Sequence, residues 1–191
     1  MSTLSSKQVA PGEPQLQWLR QADSDTAPAI MQLINSTVGD GGVLGYEHEM
    51  SAGQSVEFTA SLQERIHGGN THVLLGQAMA GPACLVIVSR SSMPNCRHIA
   101  DLSKGVVHPA YRGTGLVARA FSEVVRLCQA QGIELLTLDV REGTRAHRLW
   151  QTFGFQTYGV LDDYARVDGV KHRGHYMAQP VESLALRLNL D

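Results

Sequence analysis

The chain has 191 residues, 43% of them hydrophobic and 18% charged, with a formal net charge of −2. That length suits one domain with a sizeable core, and the near-neutral balance excludes a broad basic field for nucleic acid or an acidic membrane surface. Cys84, Cys96 and Cys128 are odd in number and widely spaced, which points to reduced thiols in a cytoplasm rather than a disulfide framework.

No apolar run approaches the roughly 18 residues of a membrane span, and residues 1–14 lack a basic-then-apolar secretory pattern. A disordered tail is expected over 1–14, one domain over 15–184 and a short tail over 185–191. Alternation from Gln15 to Arg20 predicts a first strand, and Thr26 can cap a helix with Ile30, Leu33 and Ile34 on one stripe. Gly39 to Tyr46 is a turn-rich loop, suited either to wrapping a ligand or to flexible connection. Ser51 and Gln54 can form a capping box for a second helix, which Gly68-Gly69 stops. His72 to Ala78 and Ala83 to Arg90 read as a hairpin, and Ile99 to Val107 as a third strand of that sheet. Then follow a helix from Leu116 to Ala130 ended by Gly132, a strand Leu135 to Val140, a helix Thr144 to Phe153, a strand Gln156 to Val160 and a last strand near His175 to Ala178. The chain shows no repeats and no second domain.

Arg112-Gly113-Thr114-Gly115 lies at the strand-to-helix junction and reads as a phosphate cradle. The first amides of a helix have no intrahelical partners, glycines let an anion approach them, and an arginine adds charge. The spacing is neither the dinucleotide fingerprint nor the mononucleotide loop.

Val106 to Leu116 resembles the acyl-CoA segment of the GNAT N-acetyltransferases, whose pattern is Arg or Gln, two residues, Gly, one residue, then Gly or Ala. Leu138 to Ala146, Leu149-Trp150 and Gly154-Phe155 resemble the next strand, helix and strand of that family. The resemblance implies an α/β (α+β) fold: a single domain with a mixed, mostly antiparallel twisted sheet flanked by helices. More narrowly, Gly42 to Tyr46, Ala100 to Lys104 and Leu161 to Gly169 look like the tabtoxin-resistance branch of small-molecule acetyltransferases. Acetyl-CoA is then the expected co-substrate, with no metal. Gly105, Val106 and Val107 would pair with its pantetheine arm. Arg112, Gly113, Thr114, Gly115 and Leu116 would hold its pyrophosphate. The partners implied are a small-molecule amine and, at family level, a second copy in a homodimer; nucleic acid and membrane are not expected.

Transfer to an amine needs a base or a desolvating pocket, because an alkylammonium with a pKa of about 10.4 is mostly protonated at neutral pH. Asp101 occupies the place of an acidic residue on the equivalent strand of the resembled branch; the alternative is an ion pair with Lys104 or a solvent-facing edge position, and Asp139 is a second candidate base. For the leaving-thiolate acid this chain departs from the family: Trp150 stands where a Tyr is common, and an indole is a donor but no useful acid. It can hydrogen-bond the sulfur or fill the site. His147, Tyr158 and Tyr164 are the substitutes. Val117 is a second departure, since Gly or Ala usually sits there and a β-branched side chain can crowd the cradle. Gly45, Tyr46 and Glu47 are the candidate substrate residues, with His48 and Glu49 beside them and Asp162, Asp163 and Tyr164 as an opposite patch. Spacing alone lets His172 and His175 touch a metal, but strand alternation explains them better. The expected function is acetyl transfer from acetyl-CoA to a primary amine of a small metabolite, amino acid or antibiotic. The alternatives are a slow binder of acyl-CoA or amines, and acetylation of a protein N-terminus or lysine.

Overall fold

The computed structural model describes residues 12–39, 42 and 44–190. Most of the tail expected over 1–14 thus lies outside the described residues, as do Asp40, Gly41 and Val43 of the glycine-rich loop. Where description begins, the Arg119 guanidinium lies 3.1 Å from Glu13 and donates to the Pro14 carbonyl at 3.0 Å.

Among the described residues seven strands form one sheet: β1 (Gln15–Trp18), β2 (Thr71–Ala78), β3 (Gly81–Arg90), β4 (Ile99–Val107), β5 (Leu135–Arg141), β6 (Gln156–Val167) and β7 (Val170–Pro180). Their order is β1-β2-β3-β4-β5-β7-β6, and every neighbouring pair is antiparallel except β4 and β5. Five α-helices of the described residues flank it: α1 (Ala27–Gly39), α2 (Ala52–His67), α3 (Leu116–Gln131), α4 (Arg145–Thr152) and α5 (Val181–Arg187). This is the mixed, mostly antiparallel sheet with flanking helices that the sequence implies.

The two faces bury separate cores. On one, Ile30, Leu33 and Ile34 of α1 and Leu62 of α2 pack on Val73, Leu75, Leu85 and Ile87. On the other, Phe121, Val124, Cys128, Trp150 and Leu184 pack on Leu74, Val88, Leu136 and Leu138. Central β3 is covered on both sides, so it is buried without a break from Pro82 to Val88 and reads as a continuous apolar run. Burial also lifts the thiols of Cys84 to about 11 and of Cys128 to about 12, so both are inert packing groups.

Local signals account for most boundaries. Ser51 and Gln54 close the capping box of α2, and Gly132, at φ 65°, ends α3. Thr26 departs from expectation: its hydroxyl turns back to Asp23, whose Oδ1 accepts from the amides of Asp25 and Thr26 at 3.1 Å ahead of α1. The end of the chain differs more. β6 and β7 are much longer than the short strands expected, joined at Asp168-Gly169, both with positive φ, the two-residue turn that matches strand twist. β6 buries none of its residues and meets β7 with two register shifts, so the alternation that marks a strand is hidden. At the boundary of the expected 185–191 tail, α5 runs through Arg187 and buries Val181, Leu184 and Ala185 against the core.

Candidate active site between two diverging strands

Parallel β4 and β5 pair at only three positions, Ile99 with Leu135, Ala100 with Leu136 and Asp101 with Thr137. Beyond these, β4 stays with β3 while β5 follows β7 to Arg141, so a gap opens between them. β4 also carries a bulge. Its register jumps from Ser103 opposite Ile87 to Val106 opposite Leu85, with Lys104 held at φ 51°. The extra residue turns Val106 into the α1/α2 core and the bare Cα of Gly105 towards Trp150.

The gap holds a cavity of about 600 Å³. It reaches both sides of the sheet: Val117, Ala120, Phe121, Val124, Leu149 and Trp150 line it from α3 and α4, and Thr37, Gly42 and Leu44 from the α1 side. Gly105, Val106, Val107, Arg112 and Gly113 line it as well, which brings most of the sequence-predicted cofactor residues to one wall. Gly113 and Gly115 sit at φ 78° and 82°, a conformation that suits glycine, and Gly115 immediately precedes the first turn of α3. Thr114 is used locally, its hydroxyl donating to the Tyr111 carbonyl at 2.7 Å. Leu116 sends its side chain into the core with Tyr111 and Cys84, so only its main chain can serve a ligand. Arg141 and Arg145 also line the cavity. The sequence reading passed over both, because only the fold sets the end of β5 and the start of α4 opposite Arg112. Their side chains, like that of Arg112, have no carboxylate partner among the described residues. A cavity rimmed by guanidiniums, floored by a free strand edge and walled by apolar side chains fits a long ligand with a phosphate end and an apolar end.

Trp150 is fixed against this gap. Its ring packs on Phe121 (centroids 5.5 Å apart) and Phe155 (5.2 Å), and its Cζ2 lies 3.2 Å from where a Cβ on Gly105 would stand.

On the opposite sheet face Asp101, Thr137 and Asp139 alternate with the buried Ala100, Leu136 and Leu138. Burial raises the Asp101 carboxyl to about 6, the charge of Asp139 adds to the rise, and the Thr137 hydroxyl, 3.4 Å away, opposes it. The expected alternative, an ion pair between Asp101 and Lys104, is not formed. Tyr164 reaches over from β6 and donates its hydroxyl to Asp139. Burial and that hydrogen bond push its pKa upward, so it holds its proton at neutral pH and is a poorer acid than a free tyrosine. Tyr176, paired with Asp139 across β5 and β7, stands edge-on to Tyr164 at 6.3 Å. Thr137 and Tyr176 were missed because only strand register sets them beside the carboxylates.

Lys104 joins the glycine-rich loop to the sheet. Its ammonium donates to the Leu44 carbonyl and sits 4.5 Å over the Tyr46 ring, beside Gly45. Burial lowers its pKa while Asp139 opposes the shift. Tyr46 is half-buried and Glu47 exposed.

The other candidates lie elsewhere. His147 is buried on the α4 side, stacked on His175 at 4.3 Å, with Nδ1 accepting from the Gly143 amide. It is on the face opposite Asp101 and Tyr164, so the structure does not bring the three together. Asp163 pairs with Arg166 and Lys171, and Asp162 with Arg173, as surface ion pairs. Among the described residues no group of three His, Cys, Asp or Glu could hold a metal ion, and no helix is long and apolar enough to cross a membrane.

Solved acetyltransferases share this fold. A candidate acetyltransferase from Salmonella typhimurium, solved with its cofactor acetyl-CoA, superposes with a TM-score of 0.71 at 17% identity, over 89% of this chain and 95% of its own. A ribosomal-protein-alanine N-acetyltransferase from Brucella melitensis and a candidate phosphinothricin N-acetyltransferase each give 0.70 at 18% identity, over 87% of this chain and 99% of theirs. The sequence profile of the acetyltransferase (GNAT) family matches residues 46–155, more than half of the chain, a span that holds the diverging strands, the Arg112 cradle, Asp101 and Trp150. By that match, on the fold just described, the chain belongs to the acetyltransferase (GNAT) family.

Proposed function

We propose that this acyltransferase moves an acetyl group from acetyl-CoA directly to a primary amine of a small metabolite, amino acid or antibiotic. The observation that carries this reading is that the β4–β5 gap opens to both faces of the sheet. A donor entering from the α3/α4 side and an acceptor lying on the carboxylate side can therefore meet within it. Acetyl-CoA supplies an activated thioester, and transfer breaks its C–S bond as the C–N bond forms.

The chain's own residues supply position, charge and proton transfer. The cradle amides at the start of α3, with Arg112 and the rim residues Arg141 and Arg145, hold phosphate groups. On its β5 side the β4 edge from Gly105 to Val107 has no strand partner among the described residues, so its main-chain groups can serve an extended ligand arm. Asp101 and Asp139 favour a cationic acceptor. Asp101, raised to about 6, is ionised at neutral pH yet close enough to it to take a proton from the ammonium. Tyr164 positions Asp139. A small acceptor is supported by the way Lys104 draws the Leu44–Tyr46 loop onto the sheet beside the carboxylates, and by the resemblance of that loop to the tabtoxin-resistance branch.

The test is the thermal midpoint with and without acetyl-CoA, followed by free-thiol release with a panel of amines. At about a hundred times the dissociation constant, binding adds about 2.7 kcal/mol, or roughly 5–10 °C for a domain of this size. A shift seen in wild type and cut to about half in Arg112→Ala, as a roughly tenfold weaker site gives, supports the donor site; no shift overturns it.

A further inference from the structure

Resting on the acyl-CoA reading above, we propose that Trp150 sets the length of acyl group the enzyme accepts and confines it to acetyl and comparably short chains. Three observations carry this.

The gap between β4 and β5 is a wedge, closed at its apex where Ile99–Asp101 pairs with Leu135–Thr137 and open at the end where Arg112 stands. A ligand whose phosphates lie at the arginines points its other end towards the apex. Along that line the indole of Trp150 rises from α4 against Gly105, with Cζ2 at 3.2 Å and Cη2 at 3.5 Å from the place of a Cβ. There is no room for a methylene chain between ring and strand.

The ring is also held in place. Phe121 and Phe155 pack on it at steep interplanar angles of 63° and 70°, and Phe121 is itself backed by Phe153 at 4.5 Å. Trp150 is only 9% exposed, so turning it aside means repacking a dense aromatic cluster.

The limit is steric and not a matter of polarity. Around the indole the lining is apolar, from Phe121, Val124, Val140 and Leu149, and would welcome a hydrocarbon tail if the ring were smaller. Each methylene buried there is worth about fourfold in kcat/KM, from about 0.8 kcal/mol per CH₂.

The experiment measures kcat/KM for acetyl-, butyryl- and octanoyl-CoA with one accepted amine, for wild type and for Trp150→Leu and Trp150→Ala. Wild type should prefer acetyl-CoA over octanoyl-CoA by at least about a hundredfold. In Trp150→Leu, the milder change, and in Trp150→Ala where it folds, that ratio should fall by at least about tenfold. Wild-type turnover of octanoyl-CoA equal to acetyl-CoA overturns the length limit while leaving the acyltransferase reading intact. So does a wild-type preference for acetyl-CoA that is unchanged in a folded Trp150→Leu. No turnover by wild type with any donor across the amine panel is the distinct failure of the underlying reading, and the length limit falls with it.

Discussion

Gly174 on β7 is bare where the ring of Tyr164 lies: a Cβ there would stand 2.5 Å from Tyr164 Cδ1 and 2.6 Å from Cδ2. The close approach lets Tyr164 lie flat on the sheet and put its hydroxyl on Asp139. Tyr164→Phe should fold normally and lose about tenfold in kcat/KM for the amine, the worth of one hydrogen bond to a charged group. Gly174→Ala should show the same loss with a destabilisation of about 1–3 kcal/mol from overpacking, measured by urea unfolding. Wild-type kinetics in a folded Gly174→Ala would dissociate the Tyr164–Asp139 contact from the acceptor site.

Asp101 gives a pH signature. The rate should rise with pH through about 6 as the carboxyl ionises, and Asp101→Asn should abolish that limb and lower turnover by about a hundredfold or more, with donor binding kept. The stability effect has the opposite sense. Because the folded-state pKa is raised from 3.8, the fold binds this proton more tightly than the unfolded chain does, and the resulting stability is lost as pH rises through 6. Asp101→Asn should therefore stabilise the protein by roughly 1–2 kcal/mol at pH 8, after discounting for solvent screening, and change little near pH 4. Thermal midpoints at the two pH values check the sign.

At the cavity mouth, Arg112→Ala should raise the KM for acetyl-CoA about tenfold while saturated kcat stays within about twofold, because the guanidinium grips the donor alike before and during reaction. Arg145→Ala, across the gap, should act in the same direction. Equal donor affinity in both variants would remove the phosphate end from this rim.

Lys104 is a latch under backbone strain. Lys104→Met deprives the Leu44 carbonyl and the Tyr46 ring of their cation and should raise the amine KM several-fold. Lys104→Gly loses the same contacts but relieves the left-handed backbone, so it should be more stable than Lys104→Met by about 1 kcal/mol. Equal stability of the two would show that the bulge stores no strain.

Local chemistry made much of this protein legible. The Ser51–Gln54 capping box, Gly132 as helix terminator, the apolar stripe of α1 and the Arg112–Gly115 junction between β4 and α3 depend on residues close in sequence, and the structure places them as read. The β6–β7 hairpin was hidden because the edge strand β6 buries no residue and so has no hydrophobic period, and its pairing with β7 shifts register twice, although Asp168-Gly169 carried the turn signal.

The sequence by itself determined the order of elements from β1 to β7 and the Arg112–Gly115 junction between β4 and α3, since both rest on interactions between near neighbours. Only the tertiary structure decided which side chains share a site. Strand register set Asp101 beside Thr137, and Asp139 under Tyr164, whereas the 3.6-residue turn of α4 carried His147 away to His175 and pointed Trp150 at Gly105. Those pairings join residues up to 45 positions apart through the divergence of β4 and β5 and one bulge, geometry that no local pattern encodes.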